Sequence, residues 1–101
     1  MLIIQTTSNS KKKLNIIKEE LLLKKLTACT HLSKTFSSYI WKGKVVNEKE
    51  YILAIKTLKK HKKSIISIIE KFHNYEIFDL FCYEVSSLNK GYDSWLKKEI
   101  G

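Results

Sequence analysis

Tyr39-Ile40-Trp41-Lys42-Gly43-Lys44-Val45-Val46 reads as two strands meeting at a tight turn. Gly43 supplies the positive φ that a tight hairpin can require. Residues 28–41, rich in Thr, Ser, Phe, Tyr and Ile, suit the incoming strand. The return strand runs from about Val45 to Thr57, with Asn47-Glu48-Lys49 expected as an irregular stretch.

Outward toward the N-terminus, Leu2-Ile3-Ile4-Gln5-Thr6-Thr7 is a short, partly β-branched run and reads as a strand. Ser8 or Ser10 can cap the helix that follows, where Leu14, Ile17, Leu21 and the Leu22/Leu26 pair return at helical spacing. This helix is expected to end near Leu26 or Thr27. Toward the C-terminus, Ile65, Ile68, Ile69 and Phe72 mark a second amphipathic helix, and Ile77 to Val85 reads as the last strand. A loop at Asn89-Lys90-Gly91 leads to a closing helix around Tyr92–Lys98. The order β-α-β-β-α-β-α is the ferredoxin-like, α+β arrangement in a single domain over 1–101, with an added terminal helix. It places four antiparallel strands in one sheet and the two main helices on one face.

The opposite face is apolar as well. In the return strand Tyr51, Leu53 and Ile55 point one way and Ile52 and Ala54 the other. In the last strand Ile77, Phe81, Tyr83 and Val85 alternate with Phe78, Leu80 and Cys82. A sheet with one solvated face would alternate apolar with polar residues. Two helices cover one side only, so the pattern calls for a second copy of the chain on the other. It does not fix the number of copies.

A chain of 101 residues with 44% hydrophobic residues lies in the globular range. No apolar run approaches the roughly 18 residues of a membrane span, and Met1-Leu2-Ile3-Ile4-Gln5 lacks the features of a signal peptide. A cytoplasmic protein is expected. Cys29 and Cys82 are too few and too far apart for a disulfide scaffold, and both sit in apolar surroundings as small buried residues. The net charge is +9, and all 19 basic residues are Lys. Readers of nucleic acid lean on Arg, whose planar fork pairs bidentately with phosphate and guanine. Its absence argues against a nucleic-acid partner, leaving loose attraction to polyanions at low salt. The strings Lys11-Lys12-Lys13 and Lys59-Lys60-His61-Lys62-Lys63 read as solubilising charge. No Ser/His/Asp or Cys/His spacing of known kind, phosphate-cradling glycine loop or metalloprotease motif points to an enzyme.

Five segments occur in the order and spacing of the CutA divalent-cation tolerance family, which this chain resembles over nearly its whole length. They are Lys25-Leu26-Thr27-Ala28-Cys29; Tyr39, Trp41, Gly43 and Lys44 at the hairpin; Lys56-Thr57; His73-Asn74-Tyr75-Glu76-Ile77-Phe78-Asp79; and Tyr92, Trp95 and Leu96. The resemblance implies a ferredoxin-like homotrimer with long hairpins packed across subunits. It implies a role in tolerance to copper or another divalent metal, without an established reaction. Members also resemble the PII signalling proteins in fold and assembly, which implies an alternative: an adaptor trimer that binds an unknown protein partner.

The chain departs from the family pattern in two ways. Asn74 and Phe78 stand in place of prolines, with Asp79 in place of Glu, so a less rigid loop is expected before the last strand. The copper ligands proposed for some members align with Gln5, Phe72 and His73, of which only His73 can bind a metal.

His73 and Cys29 are accordingly the candidate metal ligands. His73 reads alternatively as a helix-end residue satisfying the last carbonyls, and Cys29 as a buried small residue. His31 and His61 lack a neighbouring Cys or His at ligand spacing and read as surface residues. Tyr39, Trp41 and Trp95 are candidates for an inter-subunit cleft or plain interface anchors. Glu50, Lys56, Tyr75 and Glu76 would form a small charged pocket for an anion or a metal if they converge at a subunit boundary, and a solvated rim if they do not.

Overall fold

The computed structural model describes residues Met1–Gly101. The elements are β1 (Leu2–Ser8), α1 (Lys11–Leu23), β2 (Cys29–Trp41), β3 (Lys44–Thr57), α2 (Lys62–Phe72), β4 (Leu80–Glu84) and α3 (Lys90–Ile100), with a 3-10 turn over Lys59–His61. The strands form one antiparallel sheet in the order β2-β3-β1-β4. This is the expected ferredoxin-like arrangement.

Strand alternation sorts the sheet's side chains. Ile4, Leu53 and Ile55 are fully buried with Leu14, Ile17 and Leu21 of α1 and Ile65 and Ile69 of α2. The reverse face carries Ile3, Gln5 and Thr7 of β1 beside Ile52, Ala54 and Lys56 of β3 and Phe81 and Tyr83 of β4. No helix closes that face over its outer strand, where Phe81 and Tyr83 remain 56% and 47% exposed.

Several boundaries differ from the sequence reading. Helix α1 stops at Leu23 because Lys25 turns left-handed at φ 53°. The amide of Leu26 then donates to the Leu21 carbonyl and that of Lys25 to the Leu22 carbonyl, a Schellman closure in which Lys fills the usual glycine place. Leu26 thus packs on the core from beyond the helix. Of the two candidate caps, Ser10 is the one used, its Oγ accepting from the Lys13 amide. The closing helix is longer than expected, because Asn89 caps it at the Tyr92 amide.

Asn47-Glu48-Lys49 is regular strand rather than an irregular stretch. Facing residues supply polar cross-strand partners: Ser38 Oγ donates to Asn47 Oδ1 at 2.6 Å, and the Tyr39 hydroxyl donates to Glu48 Oε1 at 2.6 Å. The unbroken hairpin extends past Tyr51, the last β3 residue paired to β1, as a free two-stranded arm. The arm is apolar on both faces. Phe36, Ile40 and Val45 lie on one side at 81%, 75% and 71% exposure. Tyr39, Val46 and Trp41 lie on the other.

The last strand begins at Leu80 rather than Ile77. Beyond the Thr6–Leu80 pair, the Thr7 amide donates to the Asp79 carboxylate and not to a strand carbonyl, which ends the ladder. Cys82 is exposed rather than buried because β4 is the sheet's edge strand.

Candidate functional site

The segment 73–79 is a strap across the end of β1. Side-chain contacts stand where the family pattern has prolines. Asn74 Oδ1 accepts from Ser8 Oγ, and Asn74 Nδ2 donates to Asn9 Oδ1 at 2.9 Å. Asp79 accepts from the Thr7 amide at 2.7 Å and the Thr7 hydroxyl at 2.9 Å. Phe78 stacks on the His73 ring at 4.2 Å and 8°.

His73 is the pivot of this strap. Its Nε2 lies 3.0 Å from the Thr7 carbonyl, and its Nδ1 accepts from the Tyr75 amide at 3.0 Å. That pattern fixes a neutral ring protonated at Nε2. Both nitrogens are committed, so metal ligation would have to break one of the two bonds. Burial pushes the His73 pKa below its usual 6.5, outweighing the Thr7 carbonyl, Asp79 and Glu50, which pull it up. The unfolded chain therefore binds this proton more readily than the folded one. Stability is full above pH 6.5 and is lost as the pH falls from there toward the folded-state pKa. Thermal midpoints measured from pH 8 to pH 5 are expected to drop more steeply for the wild type than for His73→Gln; parallel curves would contradict this.

Tyr75 links the strap to the arm. Its hydroxyl donates to Glu50 Oε2 at 2.6 Å and accepts from the Asn9 amide at 2.8 Å. Glu50 is 6% exposed, and burial followed by the Glu50 bond raises the Tyr75 pKa. Farther along the arm, the hydrogen bond to Glu48 holds the Tyr39 pKa up at about 12.

The remaining candidates lie elsewhere. Lys56 stands six residues along β3 from Glu50, about 20 Å away. Its ammonium is 3.2 Å from the Tyr92 hydroxyl and sits over that ring at 5.0 Å. Tyr92 in turn packs against Trp95 on α3. An open groove of about 650 Å³ runs beside Lys56 and Tyr92, walled by Ile3, Val85 and Leu88. Glu76 is exposed and joins neither group. Within one chain, then, Glu50 and Tyr75 meet, while Lys56 and Glu76 do not join them. Trp41, paired with Lys44 at the arm tip, is on the order of 40 Å along β3 from Lys56. A cleft containing both Trp41 and Trp95 requires two subunits.

Cys29 and His73 are also apart. Cys29 is in register with Lys56 and thereby with Ile3, about 13 Å along β1 from the Thr7 that His73 touches. Gln5 lies mid-sheet in register with Ala54 and Phe81, and no three His, Cys, Asp or Glu side chains converge. The residues at the copper positions of the resembled family therefore do not fit copper within this chain. Two histidines are placed differently from the sequence reading. His61 is half-buried with Nε2 against the Ile100 carbonyl. His31 does have a ligand-type neighbour: its Nε2 is 3.9 Å from Cys29 Sγ. The signal was the Cys-x-His spacing, which on a strand puts both side chains on one face. Asn9, Asp79 and Tyr92 were missed because their partners are distant in sequence.

The profile of the CutA1 divalent ion tolerance protein family matches residues 2–99. The divalent-cation tolerance protein CutA of Thermotoga maritima is 30% identical over 100 residues, covering 99% of each chain. Its counterpart from Pyrococcus horikoshii is 27% identical over 99 residues, covering 98% of this chain and 97% of the relative. The crystal structure of CutA1 from Pyrococcus horikoshii superposes with a TM-score of 0.91 at 26% identity, covering 100% of this chain and 99% of that one. CutA from Xylella fastidiosa gives 0.90 at 28% identity, covering 99% and 97%. Taken with the β2-β3-β1-β4 sheet and the long free hairpin, these matches mean that the chain belongs to the CutA1 divalent ion tolerance protein family.

Proposed function

We propose that the protein is a non-enzymatic homotrimer of the cytoplasm that responds to divalent metal ions, copper among them. In this reading it binds a metal or a small ligand at sites between subunits. The observation that carries it is the arm beyond Tyr51, apolar on both faces and far from the chain's own core. Exposed aromatic and branched side chains on a two-stranded ribbon are stable when sister molecules cover them. Family membership supports trimeric tolerance over the alternative of an adaptor for another protein.

Covering the arm brings Tyr39, Trp41 and the Glu48 carboxylate of one copy against another copy's surface. Trp95 and the Lys56–Tyr92 groove are the complementary candidates there. His73 holds Tyr75, and through it Glu50, within the fold and does not ligate metal. Equilibrium dialysis against copper(II) is expected to show saturable uptake, equal for the wild type and His73→Ala. Absence of saturable uptake would overturn the metal reading, and a large loss confined to His73→Ala would restore His73 as a ligand.

A further inference from the structure

We infer that Cys29 and His31 form a two-donor site for a monovalent thiophilic cation, of which copper(I) is the type. The inference rests on the metal-binding reading above and adds to it a site within one chain for the reduced state of copper.

Three observations carry it. The first is geometric. Cys29 Sγ and His31 Nε2 project from the same face of β2, 3.9 Å apart. At the bond lengths zinc takes to the same donors, about 2.3 and 2.0–2.1 Å, two ligands in a straight line stand about 4.3 Å apart. The observed 3.9 Å is about 0.4 Å short of that, an opening that side-chain rotation supplies. His31 is exposed in the single chain, on the sheet face that no helix covers.

The second is anchoring. The backbone of Cys29 is fixed by Thr27, which is 2% exposed. Thr27 Oγ1 accepts from the Cys29 amide at 3.3 Å and donates to the Lys56 carbonyl at 2.6 Å. The strand pairs Cys29 with Lys56 and His31 with Ala54, so the donor pair rests on a rigid sheet. Neither donor is engaged in any other side-chain hydrogen bond, in contrast to His73, whose two ring nitrogens are both taken.

The third is charge. Lys56 faces the same side as Cys29, its ammonium drawn toward Tyr92. A monovalent cation held by a thiolate forms a neutral unit that needs no carboxylate partner, and no third His, Cys, Asp or Glu converges on the pair. Soft thiolate donors independently favour copper(I), and a closed-shell d10 ion is satisfied by two ligands. On binding, the thiol proton leaves to solvent as the metal–sulfur bond forms, and the neutral imidazole donates its Nε2 lone pair. No electron is transferred.

The test is an anaerobic competition for copper(I) supplied as a chromophoric copper(I) chelate. It is run on the full chain in a Cys82→Ser background to remove the chain's other thiol, which is exposed. The expected results are one copper(I) per chain in that background, an affinity loss of at least 100-fold with Cys29→Ser, and a loss of at least tenfold with His31→Ala. The His73→Ala variant is expected to stay within twofold, and thermal unfolding of each variant checks that the fold persists. Undiminished binding in both Cys29→Ser and His31→Ala would overturn the two-donor site while leaving the broader metal reading intact. Failure of the wild type to take up copper in either oxidation state would overturn both.

Discussion

Ile40→Asp combined with Trp41→Ser is expected to leave a folded single chain in place of an assembly. The two residues lie on opposite faces of the hairpin arm, 75% and 48% exposed, and neither belongs to the core. The register of β2 with β3 around the tip is held by backbone pairing from Trp41–Lys44 inward, which the substitutions leave in place. Each large apolar side chain contributes about 1.5–3 kcal/mol when buried. Losing two per chain therefore weakens assembly by about 3–6 kcal/mol per copy, a shift of at least about 100-fold in the association midpoint. Light scattering across a dilution series reads this directly, while circular dichroism confirms that the subunit is still folded. An unchanged assembled mass would mean that the arm tip lies outside the interface.

The second large effect is on the core. Leu53 is fully buried on β3, with Leu32 beside it in register and α1 above. Leu53→Ala removes packed methyl groups and leaves a cavity, costing about 2–5 kcal/mol. That is a large share of the about 5–15 kcal/mol that holds a typical domain folded. Leu23, 81% exposed at the end of α1, is the control, with Leu23→Ala expected within about 0.5 kcal/mol of wild type. Chemical denaturation at fixed protein concentration makes the comparison, because assembly couples stability to concentration. A cost for Leu53→Ala no larger than that for Leu23→Ala would contradict the assigned core.

The features that local chemistry decides were legible in the sequence. Gly43, at φ 77°, makes the turn. The spacing of Leu14, Ile17 and Leu21 and of Ile65, Ile68 and Ile69 marked the helix faces that are buried. The alternation through Tyr51–Ile55 foretold a sheet with two apolar sides. What escaped depends on partners distant in the chain. The strap over 73–79 is held by Ser8, Asn9 and Thr7, 65 or more residues away, so the missing prolines alone pointed to looseness. Asn47–Lys49 has weak strand propensity, and only the facing Ser37–Phe36 register and the Ser38 and Tyr39 hydroxyls make it regular. Lys56 and Glu50 stand too far apart along one strand to meet within a chain, so a pocket holding both needs two subunits. The pairing of Cys29 with His31 was readable from their spacing once both were placed on one strand.

Trimeric assembly through the two-faced arm is tested most directly by sedimentation equilibrium of the wild-type protein at micromolar concentration. Three times the 11.9 kDa of one chain is the expected mass. A well-folded species with the mass of a single chain would contradict it, and with it any site built between subunits.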